Sequence, residues 1–224
     1  MKTRIAMKKA AVHAYLTRAK ALFLLPIALL AACALPDKPV RPQAYDFGPG
    51  AVTAAAPANL AALPPLMLAD VEASAALDSN AVLYRLAYAD AQALKPYAQA
   101  RWSMPPAQLV RQRLRNHLGA SRAVISPGDA ALATPPGAAP AWVLRTELEE
   151  FSQLFESPAA SSGLVRLRAT VTQPSPQGDR LLGQRSFVVQ RPALAHNAAG
   201  GVRALAAATD AAVADIEQWL QQLR

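Results

Sequence analysis

Cysteine is nearly absent from this 224-residue chain, whose only thiol belongs to Cys33. A single cysteine cannot form an intrachain disulfide and leaves no pair of thiolates to bind a metal ion. Histidine is also scarce, and the two histidines that follow Cys33, His117 and His196, stand far apart in the sequence. The sequence therefore has no pattern of metal ligands, and we predict neither a metal ion nor another cofactor.

Motifs of catalytic sites are missing as well. The chain contains no G-x-S-x-G nucleophile turn, no H-E-x-x-H pair and no phosphate-binding loop. The glutamates at 147, 149 and 150 have the spacing of an acid–base pair. However, Arg166 and Arg168 on the next predicted strand favour cross-strand ion pairs with Glu147 and Glu149 instead. We predict that the protein is not an enzyme.

Acidic residues are absent from the first 32 positions, which contain six lysines and arginines. A short apolar run, residues 21–30, follows this basic start. It has half of the ~20 residues that a membrane-spanning helix requires. A basic start, a short apolar run and small residues before a cleavage point are typical of an export signal. We predict that residues 1–32 form a signal peptide, with Met1 or Met7 as its start.

The segment Leu30-Ala31-Ala32-Cys33 resembles the lipobox of bacterial lipoproteins. This resemblance implies a diacylglyceryl group on the Cys33 sulfur and an acylated new amino terminus, with chains such as palmitate. Several such chains hold a protein firmly, because each buried methylene contributes ~0.8 kcal/mol. Ala34 implies the periplasmic leaflet of the outer membrane, since an aspartate there retains enterobacterial lipoproteins at the inner membrane. The alternative is a core cysteine left after ordinary signal cleavage.

The net charge of +8 mostly reflects the signal peptide. Without its six basic residues, the chain has 17 basic and 15 acidic residues, a net charge of +2. This balance gives no indication of nucleic-acid binding. Four arginines cluster on and after the first predicted helix, and we interpret them as a solvated face rather than a site for anionic headgroups: Arg111, Arg113, Arg115 and Arg122.

The remaining chain divides into a tether and a domain. Residues 33–44 are rich in proline and predict an extended, lipidated tether, and residues 45–224 are long enough for one domain with its own core. Stretches rich in alanine, proline and glycine predict loops at 49–63 and 127–140. Alternating apolar residues predict seven strands: 45–47, 66–71, 82–88, 97–102, 142–149, 164–171 and 181–190. Residues 173–179 predict a hairpin turn before the last strand.

Two amphipathic helices complete the pattern. The first follows Ser103, with Pro105 and Pro106 in its opening turn and Gly119 at its end. The second covers about 202–223. Strands followed by a terminal helix predict an α+β fold, with an antiparallel or mixed sheet of about six or seven strands and two main helices packed on it.

The domain resembles the ABC-type transport auxiliary lipoproteins, the relatives of paraquat-inducible protein C. The specific part of the resemblance is a Tyr-Arg pair followed by an Arg-Trp pair. It extends over roughly residues 43–223 and includes these positions: Tyr84-Arg85, Leu94, Tyr97-Ala98, Arg101-Trp102, Pro105-Pro106, Leu109, Leu114, Leu118, Leu148-Glu149-Glu150-Phe151, Leu167, Arg185-Ser186-Phe187 and Ile216-Glu217-Gln218-Trp219-Leu220.

The resemblance implies a non-catalytic docking or scaffold subunit of an intermembrane lipid transport system of the mammalian-cell-entry (MCE) type. The partners it implies are the membrane, an MCE-domain protein and phospholipid. Further copies of the chain in a ring would match the rotational symmetry of MCE assemblies. Two alternatives stay open: a periplasmic lipid-carrier module, and an envelope-assembly lipoprotein that partners an outer-membrane β-barrel.

Five residues of the resembling motif form the candidate partner or ligand surface, because aromatic and arginine side chains are enriched in binding hot spots: Tyr84, Arg85, Tyr97, Arg101 and Trp102. The alternative is that the rings fill the core and the guanidinium groups stack on them or pair with acids. For Trp102 we favour the core.

Overall fold

The computed structural model of the chain describes residues 41–50, 63–132 and 140–223. The predicted signal peptide, Cys33 and most of the predicted tether lie outside these residues. By its internal contacts the chain divides into two units, Met1–Arg41 and Pro42–Arg224. Every helix and strand described below belongs to the second unit.

The described residues of this unit form eight strands and two helices. The strands are β1 (Gln43–Tyr45), β2 (Leu66–Ala73), β3 (Ala81–Leu86), β4 (Asp90–Trp102), β5 (Val124–Ile125), β6 (Trp142–Ser157), β7 (Ala160–Gln173) and β8 (Arg180–Pro192). The helices are α1 (Pro106–Leu118) and α2 (Ala198–Gln222), with a 3₁₀ helix at Pro127–Leu132. The predicted α+β fold is confirmed, with one strand more than the upper prediction. The extra strand, β5, has only two residues, which is too short to show an alternating pattern.

All eight strands belong to one mixed sheet organised around β6. Along one side of β6, β7 pairs with it antiparallel over nearly its whole length, and β8 follows as an edge strand. Along the other side, β2 and β3 pair with it in parallel, one after the other: β2 at 142–148 and β3 at 153–155. The predicted hairpin turn between β7 and β8 is confirmed, and Gly178 within it has a φ of +118° that favours glycine.

Helix α1 begins and ends where its sequence indicates. Pro105 and Pro106 occupy the start, where a missing N–H costs little, and the Gly119 N–H closes the last turn on the Arg115 carbonyl. Its apolar stripe is buried against the sheet: Leu109, Val110, Leu114 and Leu118.

Helix α2 covers one face of the sheet, here called the inner face. The β7 residues beneath it are buried, and so are the helix residues that meet them: Val165, Leu167, Ala169, Val171, Leu205, Val213, Ile216 and Leu220. The helix begins four residues before the predicted start, where the Asn197 side chain accepts a hydrogen bond from the Gly200 N–H. Gly200 and Gly201 argue against helix by propensity, but a Cβ on Gly201 would lie 2.1 Å from the Gln153 side chain. Close packing therefore outweighs helix propensity here.

Candidate functional site

The predicted surface residues Tyr84 and Arg85 lie on opposite faces of the sheet, because successive side chains of a strand alternate. Tyr84 is level with Gln153 of β6, and its ring packs at a tilt of 39° against that of Tyr97, with 4.6 Å between the ring centroids. Both tyrosines lie on the inner face, beside the start of α2, and both are half-buried. Arg85 lies on the other side of the sheet, here called the outer face.

A chain of hydrogen bonds leads from Tyr97 to His196. The Tyr97 hydroxyl donates to Gln153 Oε1 at 2.8 Å, and Gln153 Nε2 donates to Ser161 Oγ at 2.9 Å. Ser161 Oγ lies 3.1 Å from His196 Nδ1. Since Ser161 Oγ already accepts from Gln153, its own hydrogen is available to donate to His196. We call these four residues the polar relay; Gln153, at its centre, is fully buried.

Burial, and to a smaller extent the neighbouring Tyr84, raises the pKa of Tyr97 to about 12. The hydroxyl therefore remains a hydrogen-bond donor to Gln153 throughout the physiological pH range. The unfolded chain releases this proton near pH 10. The stabilisation that the protonated Tyr97 hydroxyl gives to the folded state is complete below pH 10. It is lost as the pH rises from 10 to 12, because the unfolded state then binds fewer protons than the folded state.

Replacing Tyr97 with phenylalanine should lower the free energy of unfolding by about 1–3 kcal/mol at pH 8, because Gln153 Oε1 is left buried without its donor. Urea denaturation at pH 8 and pH 11.5 measures the effect. The wild type should lose about 1 kcal/mol more than Tyr97→Phe between these pH values, because solvent screening at a half-buried hydroxyl reduces the effect of the pKa shift on stability. Equal losses in the two proteins would contradict the assignment of the raised pKa to Tyr97.

A cleft of about 380 Å³ opens at the His196 end of the relay. Its polar lining includes Ser161, Ser162, Gln190 and Glu156, and Ser162 Oγ donates to Glu156 at 2.7 Å. Ser161 already has hydrogen-bonding partners in the relay, so its hydroxyl stabilises the fold. Within the described ranges, no group of three or more histidine, cysteine, aspartate or glutamate side chains is arranged to hold a metal ion.

On the outer face, Arg85 binds Glu150 through two nitrogens, at 3.3 Å and 3.0 Å, and both side chains are largely buried. Such a two-point contact holds both groups in a defined geometry. The predicted cross-strand pairing is confirmed for Arg168, which lies opposite Glu147 and binds Glu149 at 2.5 Å. The other predicted pair, Arg166 with Glu149, is wrong, because the pairing shifts between Leu148 and Glu150. This bulge places Glu150 opposite Arg166.

The five residues of the predicted surface do not lie together. Arg101 is exposed on β4, whereas the adjacent Trp102 is fully buried. The Trp102 ring packs edge-on against Phe47 and at a tilt of 57° against Phe151, with 5.6 Å between centroids in each pair. Placing Trp102 on a binding surface is therefore wrong, and the alternative, a core position, is confirmed.

The arginines of α1 do more than form a solvated face, because each of the three has an ion-pair or hydrogen-bond partner. Arg111 binds Asp70 and Arg113 binds Asp210, both at 3.1 Å. Arg113 also donates to the Phe47 carbonyl at 2.6 Å. Arg113 therefore joins α1 to α2 and to the segment that follows β1.

Arg122 is a residue whose role the sequence did not reveal. Its side chain is buried, and none of its three guanidinium nitrogens has a hydrogen-bond partner in the part of the chain that the structure covers. Desolvation lowers the pKa of Arg122, opposed by the charge of Glu217. Glu217 itself binds His117 at 2.7 Å and Ser121 at 2.6 Å. No sequence pattern distinguishes this arginine from Arg111, Arg113 and Arg115.

Replacing Arg122 with methionine should leave the free energy of unfolding unchanged or raise it by about 2 kcal/mol, because an apolar side chain removes the cost of burying the charge. Arg166→Met, at an exposed outer-face position, is the control and should change stability by less than about 0.5 kcal/mol. Urea denaturation compares the two. A loss above about 1 kcal/mol in Arg122→Met would show that the buried charge stabilises the fold.

The family described as "ABC-type transport auxiliary lipoprotein component" matches residues 45–217, most of the folded unit. The chain belongs to this family. It is therefore an auxiliary lipoprotein of ABC-type transport, which confirms the resemblance carried by the Tyr-Arg and Arg-Trp pairs. None of the curated protein sequences matches it significantly.

Solved structures show the same fold as this auxiliary lipoprotein. Protein XCC0632 from Xanthomonas campestris is 19% identical, with a TM-score of 0.59 over 71% of this chain and 86% of that chain. An uncharacterised protein is 14% identical, with a TM-score of 0.55 over 80% of this chain and 99% of that chain. At these identities the likeness concerns the fold alone. None of the helices in the described residues is long and apolar enough to cross a membrane.

Proposed function

We propose that this auxiliary lipoprotein is anchored through Cys33 in the periplasmic leaflet of the outer membrane and serves as a non-catalytic docking subunit of an MCE-type lipid transport system. The observation that carries the proposal is the family match over residues 45–217, preceded in the sequence by the lipobox at 30–33. The acyl chains fix the position of the protein, and the folded unit presents a surface to the MCE partner.

The outer face is the docking surface in this proposal. The Arg85–Glu150 and Arg168–Glu149 ion pairs hold four of its charged side chains in place before a partner binds. Arg166 is exposed beside them and has no ion-pair partner among the described residues. Ordered charges of both signs favour a partner with the complementary pattern and reject others.

Charge reversal tests this surface with a matched control. Arg166→Glu should reduce retention of the MCE-domain protein about tenfold, equivalent to about 1.4 kcal/mol. Arg203→Glu makes the same charge change at an exposed position of α2, on the helix side of the sheet, and should leave retention within about twofold. Affinity purification of the detergent-solubilised lipoprotein measures both.

Other outcomes of the same purification would contradict the proposal. Recovery of an outer-membrane β-barrel in place of an MCE-domain protein would indicate an envelope-assembly role. Stoichiometric phospholipid bound to the protein, without a protein partner, would indicate a lipid carrier.

Mass spectrometry tests the anchor, because an unmodified Cys33 thiol in the native protein would overturn it. Light scattering tests the ring, which a single monomer peak would exclude.

A further inference from the structure

Three connections of the folded unit meet at one end of the sheet, here called the turn end. They are the β3–β4 turn (87–89), the β6–β7 turn (158–159) and the β8–α2 loop (193–197). Backbone hydrogen bonds hold two of them to the sheet. The Ala87 N–H donates to the Phe155 carbonyl at 2.9 Å, and the Ala193 N–H donates to the Ser161 carbonyl at 2.8 Å.

The three connections at the turn end expose apolar side chains, and exposed charged residues lie next to them on the strands: Asp90, Glu156 and Arg191. None of the three connections contains aspartate, glutamate, lysine or arginine. Leu194 is 93% exposed and Tyr88 is 49% exposed. At the other end of the sheet, the β7–β8 turn contains the exposed Asp179, and Leu181, 61% exposed, follows it. The turn end therefore differs in having no charged residue within its three connections.

The direction of β1 relates the turn end to the predicted anchor. Strand β1 runs parallel to β4, with Gln43 opposite Ala100 and Tyr45 opposite Trp102. Strand β4 begins at Asp90, directly after the β3–β4 turn. The amino end of β1, Gln43, therefore points toward the turn end.

The reach of the tether favours the same orientation. About ten residues separate Cys33 from Gln43, and they can span at most ~35 Å. The Trp102 ring, level with β1, contacts Phe151 of β6, nine residues from the start of that strand at Trp142. If the opposite end lay on the membrane, the tether would have to turn back at Gln43 and run ~30 Å alongside the sheet. That distance is nearly the full ~35 Å that the tether can span.

We propose that the turn end lies against the bilayer, with Leu194 and Tyr88 inserted at the membrane–water interface as a second contact beside the acyl chains. This inference rests on the anchor in the proposed function. Leu194 loses apolar surface to the lipid, and a tyrosine at the interface keeps its hydroxyl in contact with water. Because the three connections themselves have no fixed charges, Leu194 and Tyr88 can insert while the flanking Asp90, Glu156 and Arg191 stay in the hydrated headgroup layer.

The single cysteine makes a site-specific experiment possible, because the acylated Cys33 sulfur is a thioether and does not react with thiol probes. Leu194→Cys in the full-length lipoprotein provides one reactive thiol at the turn end. Gln177→Cys, exposed in the β7–β8 turn at the opposite end, is the matched control. Each variant is labelled with an environment-sensitive fluorophore in detergent and reconstituted into vesicles of phosphatidylethanolamine and phosphatidylglycerol.

The label at 194 should shift its emission to shorter wavelength on reconstitution and be quenched by nitroxide-labelled lipids, whereas the label at 177 should show neither change. Tyr88→Cys should behave as Leu194→Cys does. A water-like, unquenched label at 194, with mass spectrometry showing Cys33 acylated, would overturn the orientation but leave the anchor in place. A shift at 194 that requires added partner protein would also overturn it, in favour of a protein interface.

Discussion

Gly163→Ala is expected to lower the free energy of unfolding by about 3 kcal/mol. Gly163 lies on the inner face of β7 directly beneath α2. A Cβ there would lie 2.5 Å from the Ala204 carbonyl carbon and 2.5 Å from the Leu205 nitrogen. These are backbone atoms, so no side chain can rotate away, and the helix itself has to move. Overpacking of this kind costs about 1–3 kcal/mol or more, even though alanine restricts the unfolded chain.

Urea denaturation followed by circular dichroism measures this loss. Gly128→Ala is the matched control, because a Cβ at Gly128 has no atom within 4 Å and its φ is not positive. The control should change stability by less than about 1 kcal/mol. If Gly163→Ala unfolds at the same urea concentration as Gly128→Ala, the close approach of α2 to β7 is wrong.

Trp102→Ala is expected to cost about 4 kcal/mol, in the range for removing a large aromatic side chain from a core. Its ring is fully buried and contacts Phe47 and Phe151, so its loss opens a cavity between the segment after β1 and the central strand. Aromatic pairs of this geometry also contribute beyond their buried area.

Trp102→Phe separates the ring volume from the indole N–H. That N–H has no hydrogen-bond partner among the described residues, so phenylalanine loses volume but breaks no hydrogen bond. We expect a cost of about 1–2 kcal/mol, measured by circular dichroism because the substitutions alter tryptophan fluorescence. A loss in Trp102→Phe as large as in Trp102→Ala would show that the N–H has a partner that stabilises the fold.

Local sequence patterns predicted most of the secondary structure. The alternation at 164–171 and 181–190 identified β7 and β8, and the prolines at 105 and 106 with Gly119 gave the ends of α1. The predictions fell short where pairing extends a strand beyond its pattern. Strand β4 begins at Asp90 because it pairs with β3, and β6 continues to Ser157 because it pairs with β7.

The candidate surface was predicted less well than the fold. Sequence reasoning selected Tyr84, Arg85, Tyr97, Arg101 and Trp102 as a group, but strand alternation and burial divide them between the two faces and the core. Gln153, the centre of the polar relay, has no sequence signal, because its partners Tyr97 and Ser161 belong to other strands.

The sequence by itself determined the family, the class of fold and the expectation of a lipid anchor at Cys33, because these depend on short motifs and local periodicity. Only the tertiary structure decided which charges pair, where the bulge at Glu149 shifts the register, that Arg122 is buried, and which three uncharged connections meet at one end of the sheet. These features arise from contacts between residues far apart in the chain, and no local pattern encodes them.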